Sequence, residues 1–233
     1  MRVLVSCECS GRVRDAFLER GHEALSCDLE PCETGGPHYR GSALEVIEDG
    51  WDLMIAHPPC TYLSRAGARW LYPTAGKMDP ARYALGLEAR AFFMKLLGAN
   101  IPRIAVENPT PMLVFKLPAH SQTIEPYEFG HPYTKRTRLW LRGLPHLNPT
   151  RTLAERAPFL PSNTGGAARG QRHASGVVTG GKDASRTFVG IAQAMAAQWG
   201  DGDVAECEEG SQLNLNLWQS SMRYSEKAQK LDS

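Results

Sequence analysis

The chain has 233 residues, enough for one large α/β domain with an appendage or for two small domains. Its hydrophobic content of 42% and charged content of 22% are ordinary for a soluble globular protein. No stretch approaches the roughly 20 apolar residues of a membrane span, and the residues after Met1 turn polar too quickly for a signal peptide. We therefore expect a cytoplasmic protein with no membrane partner.

The six cysteines do not make a dense disulfide framework in a chain of this length, so we expect a reduced compartment. Cys7, Cys9, Cys27 and Cys32 could offer four thiolates to a zinc ion. However, their spacing is not the Cys-x-x-Cys pairing of common zinc modules, and three of them lie at predicted strand ends. The prediction is therefore no metal.

The net charge of +1 hides an asymmetry along the chain. Residues 60–172 hold 16 Lys and Arg against 6 Asp and Glu, a local charge of +10, whereas residues 1–59 hold 5 against 11, a local charge of −6. A basic middle on an otherwise acidic chain indicates a polyanion partner at that face. A solvated basic surface without a partner is the alternative.

Strands and helices alternate along the first 142 residues. Gly11 opens a helix that Gly21 ends, and Asp79-Pro80, an N-cap aspartate before an N1 proline, begins a long helix ending near Leu97. Residues 61–78 are expected to be loop-like because glycines and a proline interrupt them. Apolar runs typical of strands lie at residues 2–6, 23–27, 53–56, 104–106, 123–129 and 137–142. This alternation predicts an α/β fold with a doubly wound, mostly parallel sheet.

The composition changes after residue 142. Residues 143–184 are rich in Pro, Gly, Arg and Ser, which predicts a small irregular insert. One more helix is predicted from Phe188 to Trp199, and the acidic, then Ser-, Gln- and Asn-rich residues 201–233 predict a poorly ordered tail. We therefore expect one folded unit made of residues 1–142 and 185–200.

A cysteine follows a buried strand directly, in the motif Pro58-Pro59-Cys60. Ligands of open α/β sheets bind at the carboxyl ends of the strands, and a thiolate is well suited to nucleophilic attack. Glu107 ends the next strand, and the basic cluster 135–138 lies at another strand end. A thiol, a carboxyl and two guanidinium groups at one edge could attack an electron-poor ring, protonate its nitrogen and hold an oxygen or phosphate.

These motifs, taken in order, resemble those of the DNA (cytosine-5) methyltransferases. That family carries Pro-Pro-Cys, then Glu-Asn-Val, then Gln-x-Arg-x-Arg, and the similar segments here are 58–60, 107–109 and 134–138. The resemblance covers about residues 1–142 and 185–200. It implies a Rossmann-like fold of the S-adenosylmethionine-dependent methyltransferase type, DNA as partner, and residues 143–184 as a possible DNA-recognition region.

The resemblance also implies roles for single residues. Cys60 would add to carbon 6 of a flipped-out cytosine, so that carbon 5 can take a methyl group. Glu107 would give a proton to ring nitrogen 3, which needs a raised pKa, and Arg138, supported by Arg136, would hold the cytosine oxygen or a flanking phosphate. The residues expected at the S-adenosylmethionine site are Glu8, Ser10, Gly11, Asp28, Ser42 and Pro58.

The chain departs from the family pattern in several places. Of the first family motif, Phe-x-Gly-x-Gly, only Gly11 is present here. The aspartate that the family places at the cofactor adenine has no clear counterpart, and Gly41-Ser42 lies near its place. The main candidate residues also have structural interpretations: Cys60 as a structural cysteine after a Pro-Pro turn, Glu107 as a helix-capping or salt-bridged surface carboxylate, and Arg136 and Arg138 as a solvated basic strand. Asp28 could be a turn aspartate, and Glu8 an exposed acid on a loop. His57, beside the prolines, is expected to be structural.

Three alternative functions stay open. The insert of about 40 residues is small for reading a duplex, which leaves RNA or a free cytosine nucleotide as substrate of the same chemistry. The reduced glycine motif leaves a modified S-adenosylmethionine as donor of another group. The third alternative is a non-catalytic nucleic-acid-binding protein that keeps the fold alone.

Overall fold

The computed structural model describes residues 1–155 and 186–201. Most of the predicted insert at 143–184, and all of the predicted tail after residue 201, lie outside the described residues. Among the described residues, no helix combines the length and the apolar character that a membrane crossing needs.

The described residues contain one sheet of seven strands. These are β1 (Arg2–Ser6), β2 (Glu23–Asp28), β3 (His38–Arg40), β4 (Leu53–Ala56), β5 (Arg103–Pro109), β6 (Gln122–Ile124) and β7 (Thr137–Arg142). Their spatial order is β3-β2-β1-β4-β5-β7-β6. Strands β1 to β5 pair in parallel, and β7 runs antiparallel between β5 and β6.

Helices cover both faces of this sheet. They are α1 (Arg12–Leu18), α2 (Ala43–Val46), α3 (Ala68–Leu71), α4 (Pro80–Leu97) and α5 (Val189–Met195), which continues as a π-helical turn, Ala196–Gly200. One buried cluster joins α1 and α5 to the sheet, and a second joins α2, α3 and α4 to the opposite face. Within β1, Val3 and Val5 belong to the first cluster and Leu4 to the second, so the strand is apolar on both sides.

The strand order reverses beside β1, which lies between β2 and β4. A doubly wound sheet opens a crevice at such a reversal, outside the carboxyl ends of its strands. The predicted doubly wound, mostly parallel, Rossmann-like sheet is therefore confirmed, and its reversal point decides where a ligand can bind.

The long helix α4 begins and ends as predicted. The Asp79 carboxylate accepts a hydrogen bond of 2.7 Å from the backbone N–H of Arg82, and Pro80 is the first helical residue. The prediction of a loop at 61–78 was wrong in part, because a 3₁₀ turn (Arg65–Gly67) and α3 lie within it. Two elements escaped the sequence analysis: β3, a half-exposed edge strand without an apolar run, and the four-residue helix α2.

Candidate active site

A cleft of about 560 Å³ opens at the carboxyl ends of β1, β2, β4 and β5. It lies at the reversal of the strand order, where an open α/β sheet binds its ligands. The predicted site residues that line it are Glu8, Ser10, Asp28, Pro58, Cys60 and Glu107. The other four, Gly11, Ser42, Arg136 and Arg138, are not among its lining residues.

The Cys60 thiol lies in a short turn beyond β4. The backbone carbonyl of Cys60 accepts hydrogen bonds from the N–H groups of Leu63, at 3.2 Å, and Ser64, at 2.9 Å, so the chain turns sharply after the two prolines. Burial raises the pKa of the Cys60 thiol, the charge of Glu107 raises it further, and Lys135 opposes both effects. The thiol is therefore protonated at neutral pH in the free protein.

The Glu107 carboxylate reaches the cleft from β5, with 19% of its side chain exposed. Burial alone would raise its pKa, but a hydrogen bond from His57 and the charge of Lys135 outweigh burial and bring the pKa below its ordinary value. The raised pKa expected for this residue is thus wrong for the free protein. Glu107 is ionised at neutral pH.

Two contacts join the end of β4 to the end of β5. The His57 Nδ1 atom lies 3.3 Å from Glu107 Oε2, and the side-chain amide of Asn108 donates to the carbonyl of Pro58 at 3.3 Å. Because Asn108 is fully buried, this second contact is shielded from water. These contacts therefore hold the loop that carries Cys60 against the strand that carries Glu107.

The turn after β1 is built around a buried carboxylate. Glu8 is 5% exposed and accepts hydrogen bonds from the backbone N–H of Val13, at 2.8 Å, and of Arg14, at 3.2 Å. The Ser10 hydroxyl donates to the same carboxylate at 3.1 Å. Glu8 therefore caps the N-terminus of α1 as well as lining the cleft, a structural role that the sequence analysis did not assign.

Gly11 has a backbone role. Its φ of 73° lies in the left-handed region, and a Cβ atom at this position would overlap the side chains of Arg14 and Thr34. The turn from β1 into α1 therefore requires glycine at this position.

Asp28 and Ser42 illustrate two outcomes for predicted cofactor residues. Asp28 ends β2 and lines the cleft, where its Oδ1 accepts from the backbone N–H of Glu30 at 2.9 Å. Ser42 is the N-cap of α2, in a capping box with Glu45. Ser42 therefore satisfies the backbone of α2 and lies outside the cleft lining.

The two arginines of the basic cluster make contacts away from the cleft. Arg136 has 66% of its side chain exposed and lies 3.6 Å from Glu125. Arg138 pairs directly with Asn108 across the ladder, so it shares the sheet face of Asn108 and not that of Glu107. It donates to the Thr110 hydroxyl at 3.3 Å. The predicted contact of these arginines with a substrate stays a prediction.

Lys135 is the member of the basic cluster that lines the cleft. Its backbone N–H donates to Glu125 at 2.8 Å, and its ammonium lies 6.0 Å from the centre of the Phe188 ring. Its charge lowers the pKa of both Cys60 and Glu107. The sequence analysis placed Lys135 in the cluster but gave the role to the arginines, because which residue faces the cleft depends on the register of β7.

The loop after Cys60 forms one rim of the cleft. Trp70 lines it with 54% of its surface exposed, and Arg82 donates to the carbonyl of Thr61 at 3.0 Å while stacking over Tyr62, 4.9 Å from the ring centre. Aromatic side chains beside arginines form a surface suited to stacked bases.

Cys7 and Cys27 are poor candidates for chemistry in this cleft. Cys7 lines it, but burial, Asp28 and Cys27 raise the pKa of its thiol to about 12. Burial likewise raises the pKa of Cys27, to about 11. Within residues 1–155 and 186–201, no group of three or more His, Cys, Asp or Glu could hold a metal ion.

No protein-family model matches the chain, and no curated protein matches it. Solved structures similar to it include a DNA modification methyltransferase encoded within an Escherichia coli prophage, with a TM-score of 0.38 and 11% identity over 60% of this chain and 46% of that one. The Entamoeba histolytica methyltransferase EhMeth has a TM-score of 0.41 and 15% identity over 66% of this chain and 57% of its own.

A mutant of DNMT2 from Spodoptera frugiperda is similar with a TM-score of 0.35 and 15% identity, over 67% of this chain and 55% of its own. The chain therefore spans about half the length of these structures. All of them are distant from it in sequence and in fold.

Proposed function

We propose that the protein transfers a methyl group from S-adenosylmethionine to carbon 5 of cytosine in DNA, with Cys60 as the nucleophile. The observation that carries this proposal is the meeting of a thiol, a carboxylate and an ammonium group, from Cys60, Glu107 and Lys135, in one cleft at the sheet's reversal point. The similarity of motif order to the cytosine-5 methyltransferases supports the choice of base.

Several residues of the cleft fit the proposed cofactor. The Asp28 carboxylate at the end of β2 can accept from ribose hydroxyls, as acids at this place in doubly wound sheets do. Ser10 and Glu8 would lie beside the methionine part, where the negative charge of Glu8 suits a sulfonium. When bound, S-adenosylmethionine supplies the activated methyl group.

One proton lies between the thiol and the carboxylate in the free protein. Cys60 holds it and Glu107 is ionised, according to the directions of their pKa values. Attack forms a bond between sulfur and carbon 6 and moves an electron pair onto ring nitrogen 3. That nitrogen takes the proton through Glu107, so the attack needs no outside acid.

The later steps restore the starting charges. Carbon 5, now part of an enamine, could then accept the methyl group that bound S-adenosylmethionine would supply as its sulfonium became a neutral thioether. A base then removes the carbon 5 proton, the bond between sulfur and carbon 6 breaks, and nitrogen 3 returns its proton. Lys135 favours the thiolate throughout because its charge opposes that of Glu107 at Cys60.

A base inside a duplex cannot reach the cleft, so the target must leave the stack, at a cost of roughly a few kcal/mol. The rim formed by Trp70, Arg82 and Tyr62 supports this proposal, because its aromatic and cationic groups can hold nucleotides next to the extruded base.

Labelled-methyl transfer tests the proposed function directly. Wild-type protein is incubated with labelled S-adenosylmethionine and, in parallel, duplex DNA, single-stranded RNA and dCMP; the Cys60→Ser variant is the control. We expect label in DNA with wild type only. Label found only in RNA or only in dCMP would show that this molecule, and not DNA, is the substrate. Mass spectrometry of the modified base would identify any transferred group other than methyl.

Covalent trapping separates catalysis from mere binding. In the presence of S-adenosylmethionine, DNA with 5-fluorocytosine should form a stable adduct with wild type and none with Cys60→Ser, because fluorine leaves no carbon 5 proton to remove after methyl transfer. Binding of DNA without an adduct in wild type would instead support a non-catalytic nucleic-acid-binding protein.

A further inference from the structure

His57 contacts one of the two proposed catalytic groups, Glu107, and shortly precedes the other, Cys60, along the chain. It follows β4 directly, and its side chain is 11% exposed. Its Nδ1 atom lies 3.3 Å from Glu107 Oε2, and its backbone N–H donates to the carbonyl of Ser6 at 2.9 Å. The backbone of His57 is thus fixed to β1 and its ring to β5, three residues before Cys60.

We propose that His57 is a positioning residue for Glu107: its Nδ1–H donates to Oε2 and leaves Oε1 as the oxygen that carries the proton to the substrate ring. The role toward the substrate ring rests on the proposed function, whereas the hydrogen bond between His57 and Glu107 does not. A carboxyl group has two equivalent oxygens, and only one can face the ring nitrogen. A fixed donor on Oε2 makes them inequivalent.

The tautomer of His57 follows from its surroundings. Among the described residues, its Nε2 atom is buried and has no hydrogen-bond partner. An ionised carboxylate can only accept, so the ring proton must lie on Nδ1 for the contact with Glu107 to be a hydrogen bond. A proton on Nε2 would instead be a buried donor without an acceptor, which costs about 1–3 kcal/mol. Of the two neutral tautomers, the one with the proton on Nδ1 is therefore favoured.

The groups that surround His57 and Glu107 come from two cavities, one on each side of the contact. On the side of α5, β6 and β7, the neighbours that line the same small cavity are uncharged: Ile124, Thr137, Thr187, Phe188, Ile191 and Met195. Lys135, from the segment before β7, is the charged neighbour there. Besides Lys135, the ionisable groups on the side of the large cleft are Cys7, Glu8, Cys9, Asp28, Cys60, Arg82 and Arg186.

Two variants separate the effect of the hydrogen-bond donor from the effect of the ring's shape. His57→Asn keeps an amide donor close to the position of Nδ1, whereas His57→Phe keeps a flat ring without a donor. The readout is the rate of adduct formation with 5-fluorocytosine DNA as a function of pH. In wild type this rate rises with pH as Glu107 ionises, because the active form holds one proton in the Cys60–Glu107 pair.

We expect His57→Phe to lower the maximal rate by about 10- to 100-fold. It should also move the acid limb of the profile, the pH range in which the rate rises, to higher pH. The limb moves because the buried carboxylate loses the donor that lowers its pKa. His57→Asn should keep the position of the limb and recover most of the rate. Equal losses in both variants with an unmoved limb would mean a packing role and overturn the proposal.

Nitrogen-15 NMR of the histidine-labelled free protein tests the hydrogen bond without substrate, and it also serves if His57→Phe does not fold. We expect a protonated Nδ1 and an unprotonated Nε2 at His57 in wild type. A proton on Nε2 would overturn the proposal. Absence of any adduct in wild type, together with the expected NMR result, would instead refute the proposed function and leave the Glu107–His57 contact standing.

Discussion

At the scale of single residues, the ionisation of Cys60 depends on its two charged neighbours. Burial and Glu107 raise its pKa, and Lys135 lowers it. The thiol is therefore weakly reactive while Glu107 is charged, and neutralising this charge would increase its reactivity. Such coupling protects the thiol of the free protein from oxidation and alkylation.

Removal of the Glu107 charge should activate the thiol in the free protein. We expect Glu107→Gln to lower the pKa of Cys60 and to raise its alkylation rate by iodoacetamide several-fold at pH 7.5, because the thiolate fraction controls this reaction. Lys135→Met is the matched variant of opposite sign and should slow alkylation. Peptide mass spectrometry follows Cys60 alone; equal rates in all three proteins would contradict the proposed coupling.

At the scale of elements, the turn from β1 into α1 holds the floor of the cleft. Gly11 provides the left-handed backbone of this turn, and Glu8 caps the helix that follows. Buried Arg14, 1% exposed, packs under the turn and donates to the carbonyl of Gly35 and the hydroxyl of Thr34. A change at Gly11 should therefore disturb both α1 and the loop at residues 32–36.

Two glycines with the same φ of 73° allow the backbone cost to be separated from packing. Gly76→Ala places its Cβ in open space, so we expect a loss of about 1–2 kcal/mol in the free energy of unfolding from the left-handed backbone alone. Gly11→Ala adds an overlap with Arg14 and Thr34 and should cost clearly more. Urea unfolding of both variants checks this; equal losses would mean that Arg14 moves freely aside.

At the scale of the whole molecule, the sheet brings an acidic and a basic part of the chain to one cleft. Its walls include residues 7–10 and Asp28, in the acidic first part, and Cys60, Arg82 and Lys135, in the basic middle. Under the proposed function, this arrangement would give the positively charged cofactor and the polyanionic substrate separate walls of one site.

If the basic part of the chain binds phosphates, affinity for DNA should fall steeply with salt. We expect log K to decrease linearly with log salt concentration, with a slope of about −0.9 for each phosphate neutralised. Arg69→Gln, on the exposed rim beside Trp70, should reduce the slope by about one if Arg69 contacts a phosphate. Cys60→Ser should leave the slope unchanged. Fluorescence anisotropy from 50 to 300 mM NaCl measures both; a slope near zero would argue against a polyanion partner.

Local patterns in the sequence determined the features that need only neighbours along the chain. Asp79-Pro80 predicts the start of α4 because a cap and a fixed φ act within one turn. Pro58-Pro59-Cys60 predicts a thiol beyond a buried strand, and the alternation of apolar runs predicts a sheet with helices on both faces. The confirmed α/β fold and the cleft positions of Cys60 and Glu107 follow from such patterns.

The tertiary structure alone decided which side chains meet in the cleft. Register across β5 and β7 turns Arg138 to the face of Asn108, while Lys135 lines the cleft with Glu107. Ser42 serves a helix cap, and His57 contacts a carboxylate 50 residues away. These outcomes depend on pairing between distant segments, and a shift of one residue in a strand reverses every side chain, so no local pattern can specify them.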